Sequence, residues 1–449
     1  MQTSFTLAQL ADPAIAEADG ILRACVHCGF CTATCPTYVL LGDENDSPRG
    51  RIYLIKEMLE TAEPAKGEVV KHIDRCLSCL SCMTTCPSGV HYMHLVDFAR
   101  SRIEATYRRP WLDRMIRSNL LRTMTDAKRF RRALLAALLA KPLAPLLATV
   151  GLKQLAAMIR LAPAQLPRGR LSRPGVVAAE GPRRGRVALL RGCVADVLAP
   201  SINTAAIRVL TRHGFDVVLA EGEGCCGAFA HHMGQEAAAL AAARQNTDAW
   251  IRELDREGLD AILTTASGCG TVLKDYGHML RGDSHYADSA RQVSRITQDI
   301  LEFICNIKYL KYTMRSALKV AYHPACSLLH GQRLVAPPKD MLVKAGFVVK
   351  DIPENHLCCG SAGTYNILQP DLANRLRDRK IAYIEKLEPD LIAAGNIGCI
   401  TQIAAGTGIP VVHPIALIDW ATGGSAPRAL QSSARKARGS ADMTSSRSA

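Results

Sequence analysis

The chain has 449 residues, 48% of them hydrophobic and 5% aromatic, with 55 Lys and Arg against 41 Asp and Glu and a net charge of +14. That length exceeds one ordinary domain, and a basic excess with no aromatic interleaving and no recognised reader motif argues against a nucleic-acid partner. The 17 cysteines fall largely in metal-ligand spacing, which excludes a secreted disulfide framework and suits a reducing compartment.

The opening stretch through Gly20 carries acids and lacks a basic n-region and an apolar h-region, so no secretory signal is expected. Next come two copies of C-x-x-C-x-x-C-x-x-x-C-P: Cys25, Cys28, Cys31, Cys35 and Pro36, then Cys76, Cys79, Cys82, Cys86 and Pro87. This is the bacterial ferredoxin run for two [4Fe-4S] clusters, in which the fourth cysteine serves the other cluster. The expected ligand sets are therefore Cys25, Cys28, Cys31 and Cys86 for one cubane, and Cys76, Cys79, Cys82 and Cys35 for the other. A pair of zinc knuckles is the alternative, but these show isolated C-x-x-C pairs. His27, inside the first loop, is placed to donate to a cluster sulfur, or is simply exposed. Ser47 and Pro48 read as a turn opening an amphipathic helix to Leu59, which spaces the two runs.

Residues 98–160 are rich in Arg, Leu and Ala and read as helical. Between Arg100 and Arg132 stand eleven Lys or Arg against three acids, a face for an acidic partner, an anionic inner leaflet or plain solvent. No stretch reaches the roughly 18 apolar residues of a membrane span. The nearest, Ala133 to Val150, is broken by Lys141, Pro142 and Pro145 and is expected to be a buried helix pair. Pro163 to Arg186 reads as a linker.

An internal repeat follows. Cys193, the Cys225-Cys226-Gly227 triplet and Cys269 recur as Cys326, Cys358-Cys359-Gly360 and Cys399, at an offset of about 130 residues, the mark of a duplicated unit. Short aliphatic runs precede these cysteines and helical stretches separate them, as at Gln235 to Leu254 and Pro370 to Leu387, so each unit reads as a parallel α/β sheet with its cysteines beyond the strand ends. The adjacent cysteines imply a bend with both sulfurs turned outward. The eight thiols are candidates for a further metal centre, iron–sulfur rather than dithiol, with buried structural cysteines as the alternative. His323, His330, His356 and the His231–His232 pair are candidates to tune that centre or line a quinone pocket.

No G-x-G-x-x-G follows a strand, and no hydrolase signature is present. A chain with electron carriers and no hydride chemistry needs a partner that oxidises the substrate, and flavin is the usual source of such electrons.

These stretches resemble a known family, the iron–sulfur subunits of bacterial glycolate oxidase (glycolate dehydrogenase). The resemblance is carried by ILRACVHCGFCTATCPTYVLLGDENDSPRGRIYLIKEMLE, DRCLSCLSCMTTCPSGVHY, EGCCGAFAHHMG, TASGCGTVLKDYGHML, YADSARQVS and HLCCGSAGTYNILQPDLANRLRDRK, and spans about residues 1–420. It implies an electron-transfer subunit with no catalytic residue, flavin or NAD of its own. Flavoprotein subunits would oxidise glycolate to glyoxylate, electrons would pass through this chain towards the respiratory chain, and the complex would sit peripherally on the cytoplasmic side of the inner membrane; a quinone is the acceptor expected apart from the resemblance. Lactate and glycerol-3-phosphate dehydrogenase subunits are sister readings. In related heterodisulfide reductases each Cys-Cys-Gly unit closes with C-x-x-C; here Val272 and Gln402 occupy the closing positions, which counts against thiol-exchange chemistry. The expected architecture is α+β and multidomain. A helical two-cluster ferredoxin module (1–97) is followed by a helical connector and linker (98–186), two repeated α/β Cys-Cys-Gly domains (187–310 and 311–422) and a disordered tail (423–449).

Overall fold

The computed structural model describes residues 1–163, 173–307, 310–313 and 316–431; most of the expected tail lies outside them. The N-terminal module is helical. Helices Pro13–Ala24, Pro48–Thr61, Gly67–Asp74 and Tyr92–Thr106 enclose a core in which Leu22, Ile55, Ile73, Leu95 and Ile103 are wholly buried. At about 1.5–3 kcal/mol for each such side chain, this core positions the cysteine loops at its edge. Ser47 caps the second of these helices, accepting from Gly50 N at 3.0 Å, and Pro48 occupies its first turn, where no amide is needed.

The expected duplication is visible as topology. Strands β1 (Gly175–Val177), β2 (Gly185–Leu190), β3 (Phe215–Leu219), β4 (Ala261–Thr264) and β5 (Thr297–Asp299) form one sheet in the order β1-β3-β2-β4-β5. Strands β6 (Lys319–His323), β7 (Val348–Asp351), β8 (Leu391–Ala394) and β9 (Val411–Val412) form the other in the order β7-β6-β8-β9. Leaving out β1, the two orders are equivalent and every pairing is parallel. Near-continuous apolar runs such as Val187–Leu190 and Val320–Tyr322 are what a sheet covered on both faces requires. One apolar cluster joins Val187, Leu189 and Leu263 of the first repeat to Val320, Ile392 and Ile418 of the second. Helix Pro414–Ala421 packs on Pro200–Arg212, and its buried Asp419 accepts from Arg208 Nε at 3.0 Å. The repeats are thus one body with a shared core.

Two expectations for the connector are corrected. The stretch read as a linker contains β1, which pairs antiparallel with β3; edge pairing needs only backbone groups, so a short segment with exposed Val176 shows no alternation in sequence. Residues 164–172 of it lie outside the described residues. The Ala133–Val150 segment is helical but only half buried. Helices Ala127–Leu139 and Lys141–Thr149 meet at 61°, with Leu134 and Ala144 inward, while Leu139 is 85% and Leu146 62% exposed. Among the described residues no single helix is long and apolar enough to cross a membrane.

Candidate iron–sulfur centres

The two cysteine loops are conformational copies. The second residue after the first cysteine, and the fourth, have left-handed backbones in both: His27 (φ 56) and Gly29 (φ 85), then Ser78 (φ 49) and Leu80 (φ 62). Three of these four carry a Cβ, at a cost of about 1–2 kcal/mol each. Strain repeated at matched positions points to a shared purpose, and left-handed residues alternating along a loop turn amides toward one concavity, as anionic clusters require. Cys25, Cys28, Cys31 and Cys86 surround one small cavity together with Cys82. Burial pushes the Cys31 thiol up to about 11 and holds Cys79 and Cys82 well above the ordinary thiol range. Thiols buried this way become thiolates only against a bound cation, so the donor set fits metal.

The second set is braced by a buried polar network absent from the sequence reading. Arg51, 1% exposed, points Nη1 at Cys35 Sγ (3.8 Å) and donates from Nε to His72 O (2.7 Å) and from Nη2 to Thr37 Oγ1 (3.0 Å). Asp46 balances it, accepting from Arg51 Nη2 at 3.4 Å and Arg75 Nη1 at 2.7 Å. Tyr92 OH donates to Cys76 Sγ at 3.8 Å, and Arg100 Nη2 donates to Cys76 O at 2.7 Å. The sequence signal was an arginine one turn after the Ser47-Pro48 helix start, a pattern too common to single out.

In the duplicated body the expected thiols converge. Cys193 Sγ lies 3.5 Å from Cys225 Sγ, and this hydrogen bond draws the Cys225 thiol below the ordinary thiol range. Cys269 packs against the apolar cluster that contains Cys226. In the second repeat Cys326 Sγ is 3.8 Å from Cys358 Sγ, and the Cys359 and Cys399 sulfurs lie within 4.8 Å of each other. Three of the four vicinal cysteines do not turn outward as expected: Cys226, Cys358 and Cys359 are at most 2% exposed, while Cys225 is half-buried. Gly227 and Gly360 (φ 84 and 87) end each turn in left-handed geometry. A Cβ on Gly360 would meet Ala373 O at 2.4 Å, so the turn lies flat on helix Pro370–Glu385 and aims its sulfurs into the protein. Gln402, at the closing position, is a brace: it accepts from Asn366 at 3.0 Å and donates to Ala373 O at 3.1 Å.

The three parts meet. Cys79 shares an apolar cluster with Cys358 and Tyr365, with Cys326 packed against it, so the second loop abuts the second repeat. Thr84 Oγ1 and His330 Nδ1 are 2.8 Å apart, and His330 Nε2 donates to His356 O at 3.0 Å. His330 therefore joins module to repeat, and the His356 carbonyl holds its ring in place. His231 and His232 bond Asp97 of the module at 3.2 and 3.4 Å. A cavity of about 700 Å³ lies between the repeats. Cys193 and Cys269 line it from one side, Cys326 and Cys399 from the other, and Leu134 and Leu147 of the connector roof it. Of the candidate histidines only His232 lines it.

Comparison with known proteins agrees with this construction. A 4Fe-4S dicluster domain matches residues 21–90, and a cysteine-rich domain matches twice, at 187–274 and 320–404. The chain is 43% identical to the glycolate oxidase iron–sulfur subunit of Escherichia coli K12, over 94% of this chain and 99% of that one. It is 29% identical to the probable glycolate oxidase iron–sulfur subunit of Bacillus subtilis 168, over 86% and 89%. Lactate utilization protein A of Geobacillus thermodenitrificans is 26% identical over 50% of this chain and 92% of its own length. A hypothetical protein from Helicobacter pylori, at 11% identity, shares the fold with a TM-score of 0.53 over 94% of this chain and 74% of that one. With two ferredoxin-type cysteine runs and two cysteine-rich units in one body, the chain belongs to the glycolate oxidase iron–sulfur subunits, components of an oxidoreductase.

Proposed function

We propose that this chain takes electrons from flavoprotein subunits that oxidise glycolate to glyoxylate and delivers them to a quinone at the cytoplasmic face of the inner membrane. The observation that carries the reading is the apolar cavity of about 700 Å³ with thiols of both repeats in its walls, a space suited to a lipid-soluble acceptor. Cys25, Cys28, Cys31 and Cys86 would hold one [4Fe-4S] cluster and Cys76, Cys79, Cys82 and Cys35 the other; bound there, such clusters supply one-electron transfer. The Cys-Cys-Gly cysteines would hold a further centre beside the cavity. Glycolate releases two electrons and two protons, and a quinone takes up two of each to become quinol. His232, on the cavity wall and bonded to Asp97, is positioned to pass protons.

The membrane part of the reading rests on the outer face of the connector. Leu135 and Leu139 follow Lys128 and Arg132 on one helical face, all exposed, and Trp111 and Arg114 extend the same mixture. Exposed apolar groups flanked by cations suit an anionic bilayer surface.

The test is anaerobic: isolate the native complex through this chain, add glycolate and record electron paramagnetic resonance. Reduced-cluster signals that disappear on adding a short-chain quinone are expected. Signals with lactate but none with glycolate would move the donor to the sister reading favoured by the lactate-utilization relative. Silence with every donor, despite clusters reducible by dithionite, would overturn the electron-transfer role.

A further inference from the structure

His323 ends β6 and is 1% exposed, yet neither Nδ1 nor Nε2 has a hydrogen-bond partner. A neutral imidazole has one donor and one acceptor, and burying both unpaired costs several kcal/mol. Other buried histidines of this chain avoid that cost: His72 Nδ1 bonds Asp46 at 3.0 Å, and His213 Nδ1 bonds Val209 O at 2.7 Å. The His323 ring instead faces thiols. One of its nitrogens, Cys359 Sγ and Cys399 Sγ all lie within 4.8 Å of one another. Cys359 continues the chain of contacts to Cys358 and Cys326. Lys380, 3% exposed, lies beside Cys358, Cys359 and Cys399 and brings a buried positive charge to a group of prospective thiolates.

The two repeats differ at this point. Three residues before Cys326 stands His323; three residues before Cys193 stands Leu190, buried and without a donor. The closing position offers no substitute in either repeat, since Val272 is core and Gln402 is occupied with Asn366 and Ala373.

We propose that His323 is a ligand, through a ring nitrogen, of a metal centre held by Cys326, Cys358, Cys359 and Cys399, and that this imidazole makes the second repeat's donor set different from the first's. Thiolates with an imidazole select a borderline-soft ion, iron in an iron–sulfur centre or zinc. The proposal rests on the reading that Cys-Cys-Gly cysteines hold a centre, and goes beyond it by naming the donor and the repeat.

The experiment uses the complete complex, purified anaerobically, with metal and sulfide counted per chain. X-ray absorption is then recorded at the edge of whichever metal exceeds the content of two cubanes. A nitrogen scatterer beside sulfur is expected in the wild type. His323→Leu, which installs the residue the first repeat already carries, should lose that excess metal and the nitrogen shell while keeping both cubane signals. His323→Cys should restore the metal with an all-sulfur shell, which separates loss of a ligand from loss of fold. Excess metal with an all-sulfur shell in the wild type, or unchanged metal and spectrum in His323→Leu, overturns the ligand assignment while leaving the centre standing. No metal beyond two cubanes in the wild type overturns the centre as well.

Discussion

Replacing Arg51 by Met should lower the reduction potential of one cluster and leave the other nearly unmoved. The guanidinium Nη1 is 3.8 Å from Cys35 Sγ; at an effective dielectric of about 20, a full charge at that distance is worth ~4 kcal/mol. An added electron spreads over the whole cluster, and Asp46 at 3.4 Å cancels part of the field, leaving about 1–2 kcal/mol. With 59 mV per tenfold for one electron, that is roughly 40–90 mV, and the sign is downward because the lost cation favoured the reduced state. Removing one member of a buried charged network also costs about 3–5 kcal/mol in stability, so Arg51→Lys, which keeps the charge, is the companion variant and should shift less. The assay is a redox titration followed by electron paramagnetic resonance on the anaerobic complex. Equal shifts in both clusters would refute the assignment of Cys35 to the set of Cys76, and no shift in either would refute the electrostatic argument itself.

Asp299 offers a pH test. It is 1% exposed with Oδ2 unpartnered, and burial pushes its carboxyl up to about 7 although Oδ1 caps a helix by accepting from Leu301 N at 2.9 Å. The native state therefore keeps a proton that the unfolded chain releases, so this group's contribution falls as pH rises from near 4 to about 7, by up to ~4 kcal/mol. Asp299→Asn, which keeps the cap, should raise thermal stability at pH 8 and flatten that dependence; a lower melting temperature at pH 8 would contradict it. Leu139→Glu with Leu146→Glu, both at exposed positions, should cut co-sedimentation with anionic vesicles by at least tenfold, since two leucines contribute on the order of 3 kcal/mol when buried. Unchanged sedimentation would remove the connector from the membrane reading.

Chemistry in this chain was readable wherever it was written as local spacing. The C-x-x-C-x-x-C-x-x-x-C-P runs need no tertiary knowledge, because a cluster loop takes three ligands within seven residues and local backbone geometry does the gathering. The repeat was readable for a related reason: two units built alike keep the same cysteine spacing, and the equivalent strand orders follow. Other features depend on what is brought together from afar. Arg51 is an ordinary helical arginine until the fold sets it against Cys35, and His323 is one of five candidate histidines until Cys359 and Cys399 arrive beside its unpartnered ring. The inward turn of the Cys-Cys-Gly sulfurs follows from glycine packing on a helix that the local sequence does not mention. The connector leucines read as core by composition, yet half face outward, because burial is decided by which neighbours exist to cover a face. The amino-acid sequence alone thus determined the electron carriers and the duplicated scaffold. Which charges, which imidazole and which apolar walls surround them is settled by folding, since these are contacts between segments whose separation along the chain leaves no local pattern.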